Sequence, residues 1–246
     1  MEGIKQAIEY IASLAVKATK PETVEINGKI YSPRDLKRYD APQYAEPIKA
    51  TTLTALVDYV CENHHEMHDH MIVHVVSPAK VLLYSGLTEE RKRETLFEVN
   101  AQLPQFAYGQ EYGQEAFVVA MQACFDKNDD REAVTLMASN IVNTKAAEYS
   151  DDGVTQQAVI KSGIASKSTA FVPNPVVLIP YRTFTEVEQP ASSFVFRISE
   201  GRDGSPGFKL VEADGGAWKR EAMQNVADYL LASLDIPTRE WLSIIV

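Results

Sequence analysis

All five histidines of the chain, His64, His65, His68, His70 and His74, fall within eleven residues, with Glu66 and Asp69 among them. Imidazoles and carboxylates at this density are metal-ligand chemistry. His64 and His68 stand four residues apart, which on a helix puts both rings on one face, as zinc requires, and His65 completes the candidate metal set. On this reading the protein is a metal-dependent enzyme acting on phosphoesters or nucleotides. The order departs from the His-Glu-x-x-His spacing that sets a general base beside two ligands, because one residue is missing between Glu66 and His68. The tract also sits between apolar runs that end at Val60 and resume at Ile72, where histidines cap helix carbonyls and face water. The solvated turn is the stronger reading, so neither a metal nor another cofactor is expected.

Three further constellations could bind or react. Ser162 to Ser168 ends in Lys-Ser like a phosphate-binding loop, but Lys161 and Ser166 occupy the positions where both glycines are needed. Asp214-Gly215-Gly216 precedes a helical segment whose free N–H groups could hold an anion, although the same residues serve equally as a cap and turn. Arg182, in Pro180-Tyr181-Arg182-Thr183-Phe184, reads as a guanidinium inside an apolar strand, which must find a carboxylate or a ligand. Glu186 and Glu188 share its parity and would project from the same sheet face of a regular strand. A structural ion pair outranks a ligand site there. No Gly-x-Ser-x-Gly elbow occurs, and Cys61 and Cys124 sit in apolar helical contexts where a thiol packs as a small hydrophobe.

The elements that must position these groups follow from periodicity. Ile4, Ile8, Ile11 and Leu14 recur at helical spacing in the first twenty residues, and Asn27-Gly28 joins Thr23–Ile26 to Lys29–Tyr31 in a two-residue hairpin. Pro33, Pro42 and Pro47 mark residues 33–50 as a linker. Helices are expected from Thr51 through Val60, over Glu89–Asn100 as a charged surface helix, over Glu111–Phe125, over about Arg131–Tyr149 and over Ala217–Leu234. Strands are expected at Met71–Val76, Val81–Tyr84, Val154–Ile160, Val176–Phe184, Phe194–Ile198, Phe208–Val211 and Trp241–Val246. Helices grouped before strands, without βαβ alternation, give an α+β fold with a mainly antiparallel sheet in the C-terminal half. Residues 1–48 form a helix, hairpin and linker appendage, and residues 49–246 the body.

Composition excludes several classes. The 246 residues are 45% hydrophobic and 24% charged, a balance that suits a globular chain. The formal charge of −10 disfavours nucleic acid as a partner, with Arg91, Lys92 and Arg93 the one local basic cluster. The amphipathic first helix lacks the uninterrupted apolar stretch of a secretory signal, and no run approaches the length of a membrane span, so no membrane association is expected.

A series of short motifs in the second half carries a resemblance. These are Asp151-Asp152-Gly153-Val154-Thr155-Gln156, Val172-Pro173-Asn174-Pro175, Pro180-Tyr181-Arg182-Thr183-Phe184 with Glu186 and Gln189-Pro190, Phe194 and Arg197, and Glu212-Ala213-Asp214-Gly215-Gly216-Ala217-Trp218. From about Thr51 onward the chain resembles the YfdQ-like family of uncharacterised phage and prophage proteins. The resemblance implies a bacteriophage or prophage origin and action in the cytoplasm of the bacterial host, and it brings no catalytic residues. The expected function is that of a non-enzymatic accessory protein working by self-association and binding, in early takeover, genome handling or counter-defence. A homo-oligomer, with a host or phage protein as further partner, follows from the detachable N-terminal helix and hairpin. A capsid-like shell is the special case of that reading. Arg182, Glu186, Asp152, Asp214 and Trp218 are the candidate ligand- or partner-binding residues.

Overall fold

The computed structural model describes residues 2–19, 23–26, 28–32, 44–63, 65, 70–88, 91–141, 150–151, 155–162, 166–200 and 205–246. The chain divides into two compact units, Met1–Tyr44 and Ala45–Val246. In the first, helix α1 (Glu2–Thr19) carries the predicted apolar positions, and strands β1 (Val24–Ile26) and β2 (Lys29–Tyr31) pair antiparallel with Ile26 opposite Lys29. Gly28 takes φ +72°, the left-handed conformation that the tight turn needs and that glycine adopts without a Cβ clash.

The second unit is α+β, as the grouping of elements predicts. One of its sheets has five strands in the order β14-β4-β5-β6-β3: β3 (Ile48–Ala50), β4 (Met71–Ser77), β5 (Lys80–Tyr84), β6 (Thr95–Asn100) and β14 (Leu242–Ile245). The central strands run antiparallel, while β14 on β4 and β3 on β6 run parallel. Alternation along these strands buries Met71, Val73, Val75, Val81, Leu83, Phe97 and Val99. They pack with helix α2 (Leu53–Glu62) and helix α5 (Trp218–Ser233), whose Val226 and Leu230 join this core; the short helix α6 (Ile236–Trp241) leads into β14.

A second core lies under the antiparallel sheet β11-β12-β13-β7: β7 (Tyr112–Gly113), β11 (Val176–Leu178), β12 (Ser192–Glu200) and β13 (Pro206–Glu212). Inward residues Phe194, Phe196, Phe208 and Leu210 meet Phe117 and Met121 of helix α3 (Gln114–Cys124) and Val134 and Met137 of helix α4 (Asp129–Asn140). Asn128, the N-cap of α4, donates to the Val177 carbonyl at 2.7 Å, and Asp130 accepts from the Val177 N–H at 2.6 Å. Those two bonds occupy the outward backbone groups of Val177 on the edge strand and so block strand addition there. A three-stranded antiparallel sheet holds β8 (Ser150–Asp151), β9 (Thr155–Ser162) and β10 (Ser166–Pro173).

Several expectations are corrected. The segment predicted as a charged helix over Glu89–Asn100 contains strand β6, because Phe97 and Val99 alternate inward; Arg91, at φ +58°, turns the chain before it, with its N–H on the Thr88 carbonyl at 2.8 Å. The predicted linker contains β3, which pairs with β6, so the second unit starts at Ala45. The helix expected to reach Tyr149 stops at Asn140, where Gln114 Nε2 donates to the Ala138 carbonyl at 2.7 Å and to the Ile141 carbonyl at 3.2 Å. Residues Ser166–Pro173, given no element by the sequence, form β10, and Val176–Phe184 is a strand only as far as Leu178.

Candidate functional site

The early end of that strand changes the chemistry of Arg182. The backbone at 182 is irregular, and a turn brings the Val187 N–H back to the Phe184 carbonyl at 3.3 Å, so shared parity with Glu186 places nothing. Gln189 fixes the segment from within: its Oε1 accepts from the Arg182 and Thr183 N–H groups at 2.9 and 3.1 Å, and its Nε2 donates to the Phe184 carbonyl at 2.9 Å. Thr183, fully buried, donates through its hydroxyl to the Pro78 carbonyl at 2.6 Å and ties the segment to the β4–β5 turn.

Arg182 is 8% exposed, and its guanidinium is held on three sides. Nη1 donates to Glu212 Oε1 at 2.6 Å, Nη2 donates to the Ser192 hydroxyl, and Cζ lies 3.8 Å from the centre of the Trp218 ring. Phe194 contributes a second ring at 5.7 Å. A planar guanidinium suits this environment because it can stack and donate in its own plane at once. Burial lowers the Arg182 pKa from the ordinary guanidinium value, while Tyr108, Glu212 and Asp214 act in the raising direction. The group remains charged.

Asp214 stands next in the network. Burial works to raise its pKa, but the Gly216 N–H at 2.9 Å, the Ser192 hydroxyl and the charge of Arg182 outweigh burial and hold it below the ordinary carboxylate value. Gly215 and Gly216, at φ +64° and +82°, let the chain reverse between β13 and α5 and deliver Trp218 as the first residue of the helix.

Arg182 and Trp218 line a cleft of about 520 Å³ with Phe106, Tyr108, Cys124 and Lys219 among the other walls. Its aromatic wall is fixed from behind: Phe106 stacks on Tyr112 at 4.9 Å and Tyr108 on Phe194 at 5.4 Å. The loop carrying them is anchored by the Gly109 N–H on the Leu210 carbonyl at 2.7 Å and the Ala107 N–H on the Tyr112 hydroxyl at 2.7 Å. Burial pushes the Tyr108 hydroxyl well above the usual phenol range and raises the Cys124 thiol, so both stay neutral at physiological pH. Arg182 Nε and Trp218 Nε1 are buried without a hydrogen-bond partner. Such a donor costs about 1–3 kcal/mol.

Of the predicted site residues, the structure brings Arg182, Asp214 and Trp218 together. Glu186 is elsewhere: its Oε1 accepts from the Leu53 N–H at 2.7 Å and the Thr54 N–H at 3.4 Å, capping α2 beside Thr52, the N-cap. The carboxylate on Arg182 is Glu212. Replacing Glu186 with Ala is expected to cost about 1 kcal/mol of stability, read by urea denaturation, as removal of a helix cap does. Asp152, His64 and His68 lie outside the described residues, while His65 is exposed and His74 faces Tyr84 on the sheet with ring centres 6.4 Å apart. Among the described residues no group of three or more His, Cys, Asp or Glu could hold a metal ion.

Sequence reasoning missed Glu212 as the partner, together with Ser192, Gln189 and Tyr108. The signal for Glu212 is the pairing of β12 with β13, which sets it opposite Phe194, two residues beyond Ser192. Comparison of the chain with known protein families, with curated proteins and with solved structures finds no match in any of the three. The chemistry of the cleft therefore carries the functional reading. Among the described residues no helix is long and apolar enough to cross a membrane.

Proposed function

We propose that this is a non-enzymatic bacteriophage or prophage accessory protein that acts in the infected cell by self-association and binding, with the Arg182–Trp218 cleft as its binding site. The observation that carries this reading is geometric: the guanidinium, tied to Glu212 and Ser192 and stacked on Trp218, stands in the wall of a cleft lined by Phe106 and Tyr108. A guanidinium whose bonds and ring stack hold it in one place beside an aromatic wall is preorganised for recognition. The phage assignment is supported by the motif series, since Arg182, Gln189, Phe194, Glu212, Asp214 and Trp218 all belong to it and meet at this one place.

Self-association is supported by the first unit. Ile4, Ile8 and Ile11 of α1 are 69%, 62% and 65% exposed, and Val24 and Ile26 of the hairpin are exposed as well. Apolar side chains grouped on one amphipathic face in this way mark an interaction surface. Light scattering of the full chain at two salt concentrations is expected to give a mass that is a multiple of 27.4 kDa, and Ile8→Lys with Ile11→Lys is expected to lower it. A monomer under every condition would remove self-association. A megadalton closed particle in negative stain would direct the reading to a shell.

A further inference from the structure

We infer that the cleft takes a small ligand built from a planar ring and one anionic head. This rests on the cleft being the binding site and assigns the class of its occupant. Among the described residues that line it the formal charges are Arg182 and Lys219, both cationic, and none is acidic. Arg182 is already paired with Glu212 and neighboured by the ionised Asp214, so the cation this wall offers to an anionic head is Lys219.

The apolar part of the lining defines the body of the ligand. Phe106, Tyr108 and Trp218 present aromatic groups held by Tyr112, Phe194 and Arg182 behind or beside them, so the rings are positioned before anything binds. A volume of about 520 Å³ lies in the range of small-molecule sites and admits a single ring system with its substituents. The head is the group that Lys219 on the cleft wall can pair with, an anionic acceptor. Phosphate and carboxylate heads share this chemistry, and the choice between them is left to the experiment.

The test uses Trp241→Phe protein, in which Trp218 is the single remaining indole of the two in the chain. Adenosine 5′-monophosphate, adenosine, inorganic phosphate and 2-naphthoate are titrated while Trp218 emission and binding heat are followed in parallel. At least one of the two ring anions is expected to saturate with a change in emission, with adenosine and phosphate about tenfold weaker and Lys219→Ala weakening the ring anion about fivefold. Tighter binding of the nucleotide assigns a phosphate head, and tighter binding of 2-naphthoate a carboxylate. Adenosine binding as well as its monophosphate, or no binding by any probe, overturns the ligand class. Binding heat that leaves Trp218 emission unchanged and ignores Lys219→Ala puts the ligand elsewhere and overturns the cleft reading itself. Should Trp241→Phe not fold, binding heat on the wild type and the exposed-site variant Lys219→Ala decides the same question.

Discussion

Arg182→Ala is expected to lower the free energy of unfolding by about 3 kcal/mol, seen as a melting temperature roughly 6–12 °C below wild type. The substitution removes a guanidinium that is 8% exposed, with its stack on Trp218 and its bonds to Glu212 and Ser192. The expected cost sits at the low end of what breaking a buried pair costs, because the Glu212 side chain is 38% exposed and returns to water when its partner goes. Arg182→Lys is expected to recover less than half, since an ammonium cannot stack on the indole and bond two acceptors in one plane. The dependence on pH has a definite sign. Asp214 has a folded pKa below its ordinary value of 3.8, so its contribution is present at neutral pH and is lost as the pH falls below that value through the folded one. Arg182 is one cause of that depression, so the stability gap between wild type and Arg182→Ala narrows in acid. A variant within about 1 kcal/mol of wild type at neutral pH would mean that the network does not hold the site together.

How far the site could be read in advance depended on how local its causes are. The hairpin at Asn27-Gly28, helices α2, α3 and α5 and the alternation of β4 and β5 are written in short-range periodicity and turn chemistry, and they form where expected. Strand β6 was not legible because Glu89 to Glu94 supply six consecutive charged residues that mask the alternation of Phe97 and Val99 just beyond. At Arg182 the need for a partner was legible from burying a guanidinium among apolar residues. The identity of that partner was not, because Glu212 is thirty residues away in sequence and reaches Arg182 through the register of β12 with β13. Glu186 was misassigned for the same reason: parity ranks neighbours only where a strand exists, and here the chain turns at Phe184 and the carboxylate leaves to cap α2.

The second large effect lies behind the cleft. Phe117→Ala is expected to cost about 4 kcal/mol, because Phe117 is fully buried and its ring stacks on Phe208 at 5.2 Å and Phe196 at 5.9 Å, so truncation leaves a cavity between a helix and two strands that cannot close over it. Phe117→Leu keeps most of the volume and is expected to cost about 1.5 kcal/mol. Denaturant unfolding measures both. The same ring meets Phe106 edge-on at 6.4 Å, and Phe106 lines the cleft, so the cavity is also expected to loosen the aromatic wall and weaken ring binding at Trp218. Leu56→Ala is the control. Leu56 is 1% exposed in the other core and is not among the residues that line the cleft, and its truncation costs a similar amount. If both variants weaken ring binding equally, the loss follows overall stability; if Phe117→Ala alone does so, the packing of α3 against β12 and β13 is what holds the cleft in its binding shape.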